Sequence, residues 1–169
     1  MNPYAFRSLL PFFAGALFVL FAASAAAQSE READGAVQLS LEMYVVTVED
    51  SGQEKYEASI TARAGQTVEY RILAINASEE ELQAGSVVVT VPIPADTSYQ
   101  QGSALPLSDE VLLEFSAGED EFRTPPVFVT DGDSRRTARP EEYAAVRWTL
   151  LVPFAADAER EFSFRVMVD

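Results

Sequence analysis

After residue 36, apolar side chains recur at every second position in one short segment after another, and nowhere does the 3.6-residue period of an amphipathic helix set in. A period of two is that of a strand with one buried face. VQLSLEMYVV (37–46) puts Val37, Leu39, Leu41, Met43 and Val45 on one side. TVEYRILAIN (67–76) puts Val68, Tyr70, Ile72 and Ala74 inward, with Glu69 and Arg71 outward. SVVVTVPIP (86–94) is β-branched and ends on Pro92 and Pro94, which lack ladder donors and so belong at a strand end or sheet edge. EVLLEF (110–115) and PVFV (126–129) read as shorter strands. AAVRWTLLV (144–152) and EFSFRVMV (161–168) alternate cleanly and, joined through PFAADAER, predict an antiparallel hairpin.

Turn chemistry separates these segments. Ser51-Gly52 breaks the chain within EDSGQEKYE, Asn76 to Glu81 ends the second strand, Asp96-Thr97 makes a further turn, and Asp131-Gly132-Asp133 opens a long polar loop. About seven strands with one apolar face each predict an all-β protein, an immunoglobulin-like antiparallel β-sandwich, because two sheets packed about 10 Å apart bury exactly one face of every strand. A small barrel is the alternative. No internal repeat supports a solenoid or propeller.

The amino terminus carries an address. Residues 1–27 place one cation, Arg7, before an apolar run from Leu9 to Ala23 and finish in small residues, with Ala25-Ala26-Ala27 as an A-x-A cleavage site: the pattern of a secretory signal peptide. The run is shorter than the roughly 20 residues that a spanning helix prefers. A lipidated end would need a cysteine, and the chain has none. Gln28 to Ala36 is polar and without period, a flexible leader, and residues 37–169 make up the sandwich domain. The expected location is therefore the periplasm or the exterior.

Composition removes whole classes of chemistry. With no Cys and no His, disulfides, thiolate or imidazole zinc sites, and Ser-His-Asp or Cys-His catalysis are all excluded. Twelve basic against 27 acidic side chains give −15, and cleavage after Ala27 removes Arg7 and no acid, so the mature chain is one charge more negative. Such a chain repels nucleic acid and resists self-association, so the expected state is a monomer or weak oligomer with no stable membrane insertion once the signal is gone.

One longer stretch carries a resemblance. AGQTVEYRILAINASEEELQAGSVVVTVPIPADTSYQQGSA, through Gly65, Val68, Tyr70, Asn76, Val87 to Val91, Pro92, Pro94, Tyr99 and Gly102-Ser103, resembles the domain-of-unknown-function eleven family of bacterial exported proteins. The closing YAAVRWTLLVPFAADAEREFSFRVMV is similar to that family's Trp-containing strand and last strand, so the resemblance spans about residues 60–168. It implies an immunoglobulin-like fold and export, and no catalytic residues. The chain departs from the family pattern at Ala155 to Ala158, where a Pro-Gly turn is usual, and in being a single copy rather than a tandem array.

Few residues stand out as a site. Arg135, Arg136 and Arg139 form the only basic cluster and are the first choice for partner contact, because Arg pairs bidentately with carboxylate or phosphate. Trp148 lies on the apolar face of its strand and reads as core; a sugar-stacking role would need it exposed beside Tyr99, Phe128 or Tyr143. The loop TDGDS (130–134) with Glu119, Asp120 and Glu121 gathers carboxylates, but Gly132 precedes the second acid, unlike an EF-hand loop. Glu114 with Glu121, or Glu141 with Glu142, could be nominated as an acid/base pair, yet so could many others. Asn76-Ala77-Ser78 fits the glycosylation pattern and reads as a strand-ending turn. The expectation is an exported non-enzymatic domain with no cofactor, structural or adhesive in the cell envelope, reaching an envelope or surface protein through its sheet edges. A carbohydrate or envelope-polymer binding module is the alternative.

Overall fold

The computed structural model describes residues 35–118, 121–132 and 134–169. The signal peptide, most of the leader, and Glu119, Asp120 and Asp133 lie outside these. Ten strands follow in order: β1 Val37–Val48, β2 Glu54–Ala58, β3 Thr67–Asn76, β4 Val88–Pro92, β5 Thr97–Tyr99, β6 Val111–Ser116, β7 Phe128–Asp131, β8 Ser134–Thr137, β9 Ala145–Leu150 and β10 Glu159–Val168. A single 3-10 turn, Pro140–Glu142, precedes β9.

All pairings are antiparallel. One sheet has the order β2-β1-β3-β10-β5, the other β4-β9-β6, and β7-β8 is a separate hairpin. The two larger sheets are open and pack face to face, so the molecule is a β-sandwich, as the alternation predicts. Rings from both sheets meet between them. Trp148 of β9 lies 5.3 Å from Phe162 and 6.2 Å from Phe164 of β10, and Phe115 of β6 lies 4.9 Å from Tyr99 of β5. Trp148, Phe164, Val146 and Val166 are fully buried. Trp148 is thus a core residue. The two packed sheets hold five and three strands and the β7-β8 hairpin adds two, so ten strands form among the described residues where about seven were expected.

Three expectations need correction. β9 and β10 are not a hairpin: the turn between them carries the chain from one sheet to the other, and each strand then lies in the centre of its sheet, β9 between β4 and β6, β10 between β3 and β5. Alternation marks a strand's face and not its partner, and Pro153 to Ala158 is long enough to cross the sandwich. EDSGQEKYE is not merely a break, because Gly52, at φ +82°, closes a turn that lets Glu54–Ala58 pair back on β1. The polar loop opened by Asp131 is a hairpin, Asp131 pairing with Ser134.

The face assigned to β1 is right and its burial is not. Leu39 and Leu41 pair with Ala74 and Ile72, which are 0% and 2% exposed, yet they themselves are 46% and 54% exposed. With β9 over β10 and β6 over β5, the strand orders set β4 over β3 and carry β1 past the edge of the three-stranded sheet; Val45 is still buried and Val37 and Met43 pack against the core, but among the described residues no strand lies opposite Leu39 and Leu41.

Candidate functional site

The three arginines are separated by the hairpin that carries them. Neighbouring residues of a strand point to opposite faces, so Arg135 and Arg136 of β8 cannot share one. Arg136 donates Nη1 and Nη2 to the two carboxylate oxygens of Glu142, both at 2.7 Å, and Nε to Asp131 at 3.2 Å. Glu142 also accepts from the backbone N–H of Arg139 at 2.7 Å, which locks the start of the 3-10 turn, while the Arg139 guanidinium reaches Glu141 at 3.2 Å and Glu142 at 3.4 Å. The Arg136 fork holds the Glu142 carboxyl below the usual carboxylate range, and Glu142 in turn raises Arg136. Arg136 and Arg139 therefore brace their own hairpin against the turn that follows.

Arg135 goes the other way. Its guanidinium sits 4.3 Å above the ring of Phe128 and lines an open cleft of about 610 Å³ with Ala117, Gly118, Glu121, Arg123 and Phe128. Glu121 is paired with Arg123, and Glu114 with Arg147 at 2.8 Å, so each member of that nominated pair faces an arginine rather than the other carboxylate. Among the described residues no group of three or more acidic side chains converges to hold a metal ion. The bracing role has a test: Arg136→Ala should speed amide exchange across Phe128–Thr137, whereas Arg135→Ala should leave it unchanged. Equal effects would mean that the two arginines share one role.

The sugar-stacking arrangement does not form. Tyr99 and Tyr143 are 3% and 7% exposed and pack against Phe115 within the core, and Phe128 lies under Arg135. Asn76 is fully buried, so its pattern does not offer an accessible acceptor for glycan.

Sequence reasoning missed a polar network on the outer face of the five-stranded sheet. Glu69 of β3, 7% exposed, accepts from Arg71 and from Arg165 of β10, both at 2.7 Å. Arg165 also donates to both oxygens of Glu54 at 2.8 Å, and Arg71 lies between the rings of Tyr44 and Tyr56, 4.6 and 4.7 Å from their centroids. The alternation places Glu69 and Arg71 outward but cannot say that β2 and β10 bring partners across. The hydrogen bonds from Arg165 and then Tyr56 pull the Glu54 carboxyl from 4.5 down to about 2. A carboxyl depressed in the folded state stabilises it above the unfolded value and loses that contribution as pH falls toward the folded value. Thermal melts should therefore be flat from about pH 6 to 8, since the chain has no His, and fall between about 4.5 and 2. A midpoint near neutrality would contradict this.

Two unsatisfied features lie side by side at the other face. The first is the overhang of Leu39 and Leu41, flanked by partly buried Val37, Met43 and Tyr70. The second is the outer edge of β4, which among the described residues pairs only with β9 and whose Val88 is 49% exposed. Comparison of the chain with family models, with curated proteins and with solved structures finds no match.

Proposed function

We propose that this chain is exported through a cleaved amino-terminal signal and serves in the bacterial envelope as a non-catalytic interaction domain, structural or adhesive in role, akin to the family it resembles at Gly65, Val68, Tyr70 and Pro92-Ile93-Pro94. One observation carries the reading. The surface arginines that could have gripped a ligand are mostly engaged by carboxylates of the same chain, whereas Leu39 and Leu41 are about half exposed and, among the described residues, no strand pairs with the outer edge of β4. Uncovered apolar side chains beside unpaired backbone groups are what a sandwich presents to another chain.

The test is crosslinking of the tagged protein in its native cell, followed by fractionation and mass spectrometry. A specific envelope protein captured from a membrane or periplasmic fraction is the expected result. Recovery in the cytoplasm, or with glycan and no protein, would overturn it.

A further inference from the structure

Resting on that reading, we infer that the occupant of the overhang is an extended segment of a partner protein, added as a further strand to the free edge of β4. Its apolar side chains would lie at alternate positions over Leu39 and Leu41, and its cationic end against Glu79 to Glu81.

The edges of the molecule select this one. β2 is exposed throughout and presents Glu54, Lys55 and Glu57, the charged edge that natural sheets use to discourage pairing. β5 is three residues long. The outer side of β6 is closed by the bridge from Phe115 to Arg123, whose two backbone hydrogen bonds are both 2.9 Å. β4, VVTVP, has no charge at all.

The backbone of β4 is set for the purpose. The carbonyl of Val87 accepts from Leu150 at 3.0 Å and the N–H of Ile93 donates to Ala144 at 2.8 Å, both on the β9 side. Hydrogen-bonding direction alternates along an antiparallel strand, so the N–H and C=O groups of Val88 and Thr90 and the C=O of Pro92 point to the open side. The missing N–H of Pro92 falls on that side as well, where it breaks no native bond. A strand bonded there would extend the three-stranded sheet outward from above β3 to above β1. Every second side chain would then meet Leu39 and Leu41, which are 46% and 54% exposed without it.

Charge picks the partner's chemistry. Asn76 pairs with Val37, and Ala77 donates to the Ala36 carbonyl at 2.8 Å, so the exposed triplet Glu79 to Glu81 sits at the Val37 end of the overhang. Lys or Arg at that end of the incoming strand complements it. The chain's own leader cannot supply the cover, since Gln28 to Asp34 (QSEREAD) holds three acids and no apolar side chain larger than Ala. A second copy would bring the same large negative charge to the same acidic surface.

The test uses the mature chain, residues 28–169, and a short fluorescent peptide of two lysines followed by alternating valine and threonine. A second peptide of the same composition has its valines grouped, and a third has glutamates for lysines. Fluorescence anisotropy should show the first binding, and the other two at least about ten-fold weaker, the order expected for loss of one anchor. Leu41→Glu and Leu39→Glu should lose binding to the same degree with unchanged melting, because both side chains are already half exposed. Amide shifts on titration should concentrate at Val88, Thr90 and residues 37–43. Equal binding of the grouped peptide, indifference to Leu41→Glu, or shifts centred on β2 would overturn the inference. So would a dimer of the mature chain that Leu41→Glu dissociates, which would assign the face to a second copy. These results come from purified protein, so failure here is distinguishable from failure of the capture experiment in cells.

Discussion

Trp148→Ala should destabilise the protein by about 3–5 kcal/mol, a large part of the roughly 5–15 kcal/mol that holds a domain folded. The indole is fully buried at the centre of both sheets, against Phe162 and Phe164. Removing it opens a void that β9 and β10 cannot close by shifting, because each is hydrogen-bonded on both sides. The melting temperature should fall by on the order of 10 °C. Trp148→Phe should cost less than half as much: it keeps most of the ring contact and removes an indole N–H that has no protein acceptor. Equal losses for the two variants in denaturant titrations would show that ring volume is not what Trp148 contributes.

Asn76→Asp should cost about 3 kcal/mol or more at neutral pH, although it is nearly isosteric. The side chain is 0% exposed and ties three segments together. Its amide hydrogens are shared among the carbonyls of Glu80, Phe154 and Ala155, at 2.8, 2.9 and 3.0 Å, and its Oδ1 accepts from the backbone and hydroxyl of Ser78. Aspartate keeps the acceptor and loses both donors, so a buried carboxylate faces three carbonyl oxygens. Protonation restores one donor and removes the charge. The penalty relative to wild type at the same pH should therefore shrink as pH falls. A penalty that does not vary between pH 7 and 5 would contradict the donor account.

The period of two was enough to place β3 at its observed bounds and to locate β1, β4, β6, β9 and β10 within about two residues at either end, because in each of them burial on one face is what the pattern records. What it could not record is pairing. Nothing local distinguishes a β9 that turns back on β10 from one whose chain crosses to the opposite sheet, since both bury Val146, Trp148 and Leu150. β2 was illegible for a different reason: all five of its residues are exposed, so it leaves no apolar signature. The overhang was illegible too. Leu39 and Leu41 look like any half-buried strand, and only the count of strands opposite them shows that they are uncovered.

The candidate site was legible in composition and not in arrangement. Arg135, Arg136 and Arg139 are a cluster along the chain, but the strand geometry of β8 turns Arg135 toward Phe128 and leaves Arg136 and Arg139 on Glu142. A charge-assisted fork with both oxygens at 2.7 Å is not readily surrendered to a partner. Proximity in sequence therefore did not translate into one shared arginine surface.

The most direct measurement places a photocrosslinking residue at position 41, and separately at position 135, of the full-length chain in its native cell. Contact through the uncovered face of β1 predicts a discrete protein adduct from position 41 and none from position 135. An adduct from position 135 alone would return the contact to the arginine hairpin and contradict the account.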